Sequence, residues 1–216
     1  MPSAAAPTRL LALLLLGLLV ACGGPREERY DRPASAAPSL QLDHAWIGVS
    51  DSAAARAMME EAGFRLPGGG AARIAFENGY FELNPAAGPG RFGIGFRRTA
   101  ATPAALPFDA GSGPASMVSL AVAQQGVDEA ANRAIVTAGG PAAEPFLHGN
   151  GARRLTGVRV TAPTRAALPA GASFVNLSGA AEFRVGTEWV MELELDHGTQ
   201  NQEIDLRPRL PLVIRL

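Results

Sequence analysis

Few residues of this chain have the type and setting to do chemistry, and the most informative lie on two short alternating segments. In Leu42-Asp43-His44-Ala45-Trp46-Ile47-Gly48-Val49, apolar and polar residues alternate with a period near two, which predicts a strand. Simple alternation puts His44 on one face with Leu42 and Trp46, opposite Ala45, Ile47 and Val49. Tyr80 to Leu83 repeats the pattern, with Glu82 on the face of Tyr80 and Phe81 and Leu83 on the other. If the sheet curved enough to bring this imidazole and carboxylate together, the pair would suit zinc, iron or manganese. A catalytic metal takes about three protein ligands plus an open position, so His44 and Glu82 form an incomplete set, and no catalytic residue is assigned. The plainer alternative is a hydrogen-bonded strand-end histidine and a satisfied carboxylate. Glu192, Glu194, Asp196, His148 and His197 are further donors whose geometry the sequence leaves open.

Other chemistries lack their motifs. Gly68-Gly69-Gly70 is not followed by the Lys and Ser/Thr of a phosphate loop. No G-x-S-x-G nucleophile elbow occurs. Glu188, Glu192 and Glu194 read as the wet face of a strand. All 19 basic residues are arginine, and the formal charge is −1 with no basic stripe, so nucleic-acid binding has no electrostatic support. Among the arginines Arg97, Arg98, Arg153, Arg154 and Arg159, the last is the best placed to hold an anionic ligand, through its planar fork.

The N-terminal region carries its own signal. Arg9 precedes Leu10 to Val20, an apolar run broken only by Gly17. It is shorter than the roughly 20 residues that span a bilayer and has the size of a signal-peptide core. Leu19-Val20-Ala21-Cys22 resembles the lipobox of bacterial lipoproteins, in which the Cys is acylated after cleavage. Cys22 is the only cysteine, so no internal disulfide accounts for it. Acyl chains add roughly 0.8 kcal/mol of membrane affinity per buried CH₂. The expected organisation is a signal peptide over 1–21, a polar lipid-anchored tether over 22–39, and a folded region over 40–216. Membrane lipid is thus one expected partner. The absence of Asp after Cys22 favours the outer membrane, facing the periplasm.

The elements that position the candidate residues follow from local signals. Ser50 or Asp51 caps a helix with Ala54, Ala57, Met58 and Ala62 at helical spacing, closed by Gly63. Phe64-Arg65-Leu66 reads as a short strand. Strands at 73–77 and 80–83 flank Asn78-Gly79, the strongest hairpin signal in the chain. Further strands are expected at 92–97, 117–123, 155–161, 173–177, 188–195 and 212–216. Asp128 caps a second helix with the stripe Ala131, Ala134, Ile135 and Ala138. The outcome is a β-rich α+β domain with a weak repeat, in which Leu42 to Ile47 aligns with Leu155 to Val160. A competing start for the second unit is the strand 117–123.

Leu42-Asp43-His44…Gly48-Val49, Gly63-Phe64, and Phe76-Glu77-Asn78-Gly79-Tyr80-Phe81-Glu82-Leu83 together resemble the first module of the glyoxalase-like, vicinal oxygen chelate superfamily. His148-Gly149-Asn150-Gly151-Ala152-Arg153-Arg154-Leu155-Thr156-Gly157-Val158 is similar to a linker of glyoxalase-like domain proteins. The resemblance implies paired βαβββ modules, the first over about 41–84 and the remainder over about 91–216, with curved mixed sheet around a concave cleft. The modules pair within one chain or across a homodimer. It implies a metal-binding His and Glu in the cleft, matching His44 and Glu82, with Trp46, Tyr80 and Arg159 lining it. The second unit has Gly157 where the first has His44, so the set is degenerate. The resemblance therefore implies a small-molecule binder with no cofactor or a divalent metal. The alternatives are a divalent-metal lyase, isomerase or ring-cleaving dioxygenase, and an envelope lipoprotein with no ligand.

Overall fold

Period-two alternation runs through most of the folded region, so strands dominate. The computed structural model describes residues 28–29, 40–67, 72–99, 102–103, 105–106, 108, 115–120, 127–178, 180–196 and 202–216. Cys22, Gly68-Gly69-Gly70 and His197 lie outside them, as does the tether apart from 28–29. The strands are β1 Glu28–Arg29, β2 Leu40–Gly48, β3 Ala72–Phe76, β4 Gly79–Asn84, β5 Phe92–Arg98, β6 Ala115–Leu120, β7 Arg154–Ala162, β8 Glu182–Val185, β9 Val190–Asp196, β10 Glu203–Asp205 and β11 Leu212–Arg215. The helices are α1 Ser52–Glu61, α2 Glu129–Ala138 and α3 Ala172–Ser178. The strands form two mixed sheets, ordered β3-β4-β2-β5-β6 and β1-β8-β7-β9-β11-β10. This is an α+β fold.

Both sheets share one plan. β2 is parallel to β4 and antiparallel to β5, which is parallel to β6. β7 is parallel to β8 and antiparallel to β9, which is parallel to β11. Each central strand is bulged at the same place: the ladder skips Asp43 between Leu42 and His44, and Thr156 between Leu155 and Gly157. A bulge adds one unpaired residue and re-aims the side chains beyond it. The matching bulges put Leu42 and His44 at positions equivalent to Leu155 and Gly157. β6, the competing start of a second unit, is instead an outer strand beside β5. The fourth strand of the first βαβββ unit is β5, and Phe64–Leu66 is not a strand; Phe64 is buried and its N–H donates to Met59 O at 2.9 Å.

Asp51 caps α1, its Oδ1 accepting from the N–H groups of Ala53 and Ala54 at 3.0 and 2.9 Å. The residues α1 buries are Ala55 and Met59, one position beyond the expected stripe. Asp128 caps α2, whose expected apolar stripe stays unburied. The largest correction is α3, read from sequence as a strand at 173–177. Ala172, Val175 and Asn176 are the buried positions, a helical spacing that the aromatic and β-branched content of the segment masks. Residues of both sheets share one hydrophobic core. Phe76, Phe81, Phe96, Phe183, Met191 and Leu193 are among its fully buried members, each contributing about 1.5–3 kcal/mol by burial. Asn78, at the β3–β4 turn, ties the two sheets. Its Nδ2–H donates to Leu155 O at 2.8 Å and its Oδ1 accepts from Leu155 N–H at 2.9 Å.

Candidate functional site

The bulge at Asp43 decides what the first sheet presents away from its core. Leu42 pairs with Phe96 and is buried, so it lies on the core side, not on the face of His44 as alternation predicts. Past the bulge, Ala45 and Ile47 stay in the core while His44 and Trp46 face outward, half-buried. On β4, Tyr80 and Glu82 face outward and Phe81 and Leu83 inward. The parallel register places Tyr80 beside His44 and Glu82 beside Trp46. The structure thus brings His44, Trp46, Tyr80 and Glu82 to one sheet face.

The strand on the other side of β2 supplies a signal the sequence reading passed over. In Phe92-Gly93-Ile94-Gly95-Phe96 the aromatic and aliphatic residues are buried, and the glycines fall on the outward face beside Trp46 and His44. A Cβ on Gly95 would stand 2.0 Å from His44 Cε1, and one on Gly93 would stand 2.1 Å from Trp46 Nε1. The two rings therefore lean across a bare strip of backbone. Alternating glycine inside a strand marks such a close approach.

Polar contacts fix the imidazole. His44 Nδ1–H donates to Asp43 Oδ2 at 2.8 Å. The ring stacks on Tyr80 with centroids 4.7 Å apart and planes 4° from parallel. Asp43 is the extra residue of the bulge and is buried. Its Oδ1 accepts from Val127 N–H at 3.1 Å and lies 3.4 Å from Arg97 Nε. Burial pushes the Asp43 carboxyl up, but the His44 bond, the Val127 N–H and the charges of His44 and Arg97 outweigh it and hold it below its ordinary value. Ionised Asp43 only accepts, so Nδ1 of His44 carries a proton and Nε2 is the ring nitrogen directed away from the carboxylate. Nε2 has no partner among the described residues, and the Trp46 indole N–H has none either.

The carboxylate expected to complete a metal pair is otherwise engaged. Arg73 Nη2 lies 2.9 Å from Glu82 Oε2, and its Cζ sits 4.1 Å from the Tyr80 ring centroid. Burial pushes the Tyr80 phenol up, with Arg73 opposing and Asp43 and Glu82 adding. Among the described residues no group of three or more His, Cys, Asp or Glu side chains is placed to hold a metal ion. His44 and Glu82 share a face but sit one register pair apart, and a cation at Glu82 would compete with Arg73.

Arg159 occupies in the second sheet the place of Trp46 in the first. Its Nε, Nη1 and Nη2 bond Glu182, Glu192 and Glu194 at 2.9, 2.7 and 3.0 Å. Burial pulls its pKa down, but the bonds to Glu182 and Glu192 raise it overall. An anionic ligand would have to displace these carboxylates. The pattern of the first sheet is inverted here: Gly157 replaces His44, and the Glu194 carboxylate lies over Gly157 as His44 lies over Gly95.

His148 is a structural residue. Arg65 N–H donates to its Nδ1 at 3.1 Å, its Nε2–H donates to Ala75 O at 2.9 Å, and Phe64 and Phe76 pack edge-on to it. Burial lowers its pKa, against the Ala75 bond and with the Arg65 charge. The cavities beside α1 and the 141–145 segment are lined by residues other than His44, Trp46, Tyr80, Glu82 and Arg159. The candidate site is a half-buried sheet face of paired charges and aromatic rings. No family model matches the chain, and neither curated proteins nor solved structures provide a match.

Proposed function

We propose that this chain is a lipid-anchored, glyoxalase-like domain that holds a small molecule against the His44, Trp46 and Tyr80 face without using a metal. The supporting observation is the Asp43–His44–Tyr80 arrangement: an imidazole fixed on two sides, with one nitrogen left open. Arg73 neutralises Glu82, which takes away the second ligand a metal would need. Acylation of Cys22 would hold the domain at the bacterial envelope, at the periplasmic side of the outer membrane.

One observation favours a second reading. A carboxylate that accepts from Nδ1–H is the arrangement that orients metal-binding imidazoles, so a divalent-metal lyase or dioxygenase-type enzyme is the alternative. A fragment screen on the full-length chain, then side-chain NMR with a chelator present, separates them. Ligand-induced shifts at His44 and Trp46, with no stoichiometric metal in the purified protein, are expected. Stoichiometric metal that disappears in His44→Ala would replace the first reading with the second. Anchoring is tested by labelled palmitate incorporation, expected in the wild type and lost in Cys22→Ala.

A further inference from the structure

A groove runs along α1, sharing no residue with the His44 face. The apolar stripe expected on this helix is not what it buries: Ala55 and Met59 enter the core. Ala54, Ala57, Met58 and Ala62 instead line two cavities of about 430 and 310 Å³, between α1 and the turn from β10 to β11. Both are large enough for a small molecule. Met58, Glu61 and Arg209 line both cavities, so the two meet there. The other charged side chains of the groove are engaged. Asp51 Oδ1 caps α1. Arg207 Nη2 donates to Asp205 Oδ2 at 2.6 Å and its Nη1 to Glu188 Oε1 at 2.8 Å. Glu61 and Arg209 are left over: neither side chain has a hydrogen bond or ion pair among the described residues, and they do not pair with each other. We infer that the groove binds a free α-amino acid with a large apolar side chain. Its carboxylate meets the Arg209 guanidinium, whose planar fork matches it. Its ammonium meets Glu61, and its side chain lies along Ala54, Ala57 and Pro211. A simple anion would be repelled by Glu61 and a simple cation by Arg209, whereas a zwitterion satisfies both. An α-amino acid carries its two charges on one carbon, which suits partners at the junction of the cavities; a peptide's stand farther apart.

Titration of the full-length chain with L-leucine, followed by the Met58 methyl NMR signal and by calorimetry, tests this. The comparison compounds are leucinamide, which lacks the carboxylate, and N-acetyl-leucine, which lacks the ammonium. Leucine is expected to shift Met58 saturably and to bind about fivefold more tightly than either, the upper end for one exposed ion pair. Arg209→Gln should bring leucine down to the affinity of leucinamide, and Glu61→Gln down to that of N-acetyl-leucine. Glu61 and Arg209 are exposed and partnerless, so both variants should keep the wild-type urea midpoint. Equal affinity for the three compounds, leucine binding that neither substitution weakens, or no saturable shift of Met58 would overturn the inference. Tighter binding of leucyl-leucine than of leucine would overturn the amino-acid assignment in favour of a peptide. None of these outcomes bears on the His44 face, which the fragment screen judges independently.

Discussion

Replacing Gly95 by alanine should disorganise His44 while leaving the backbone able to accept the new residue. Gly95 is not among the glycines with positive φ, so alanine brings no backbone strain. Its Cβ would lie 2.0, 2.4 and 2.5 Å from Cε1, Nδ1 and Nε2 of His44. The imidazole must move, yet Asp43 and Tyr80 hold it in place. Losing a hydrogen bond to a charged group costs about 1.5–3 kcal/mol, and losing an aromatic stack about 0.5–1.5 kcal/mol. Alanine returns about 0.5–1 kcal/mol of backbone entropy, leaving a net loss near 2 kcal/mol. Urea denaturation measures that loss, and histidine side-chain NMR shows whether the ring has moved. Gly157→Ala is the internal control at the matching position of the second sheet. Its Cβ would stand 2.7 Å from Glu194 Oε2, the end of a flexible carboxylate that is 42% exposed and can swing aside. Its expected effect is under about 1 kcal/mol. Equal destabilisation by the two substitutions, or an unmoved His44 in Gly95→Ala, would refute a site held by ring-over-glycine packing.

Other perturbations act on the same network of contacts. His148→Ala should destabilise by about 3–5 kcal/mol in urea melts, since it leaves Arg65 N–H and Ala75 C=O unpaired and opens a cavity between Phe64 and Phe76. Because burial lowers the His148 pKa from its ordinary 6.5, the unfolded chain binds the proton first. Its contribution should be complete above that value and fall as pH drops below it, a slope that His148→Ala should remove from the stability–pH curve. Arg159→Ala should cost about 2 kcal/mol or more, as three carboxylates lose one cation. Raising salt should recover part of that loss by screening their repulsion, and a salt-independent deficit would argue against it. Asn78→Ala should lose about 1–3 kcal/mol, because both backbone groups of Leu155 lose their partner.

Much of the site was readable from alternation alone. Tyr80, Glu82, His44 and Trp46 fall on one face because Phe81, Leu83, Ala45 and Ile47 take the core. The helix cap at Asp51 and the Asn78-Gly79 turn were equally legible, since each depends on a local hydrogen bond or backbone preference. Side-chain partners across the sheet were not. That Leu42 lies on the core side depends on a bulge, and a bulge is a property of two strands. That Arg73 meets Glu82, and Arg159 meets three glutamates, depends on register. The segment 172–178 misled because Phe174 and Val175 favour a strand in isolation, while its buried positions repeat at helical spacing. Gly93 and Gly95 were visible as residues, and their alternation inside an apolar strand was the overlooked sign of rings crossing the backbone.

The buried Asp43 carboxylate sets which nitrogen of the His44 imidazole carries the proton. Long-range proton–nitrogen correlation NMR of His44, in protein freed of metal by chelation, tests it most directly. A proton on Nδ1 and a lone pair on Nε2 are expected, with the pattern lost in Asp43→Asn. A proton found on Nε2, or a spectrum that Asp43→Asn leaves unchanged, would contradict it.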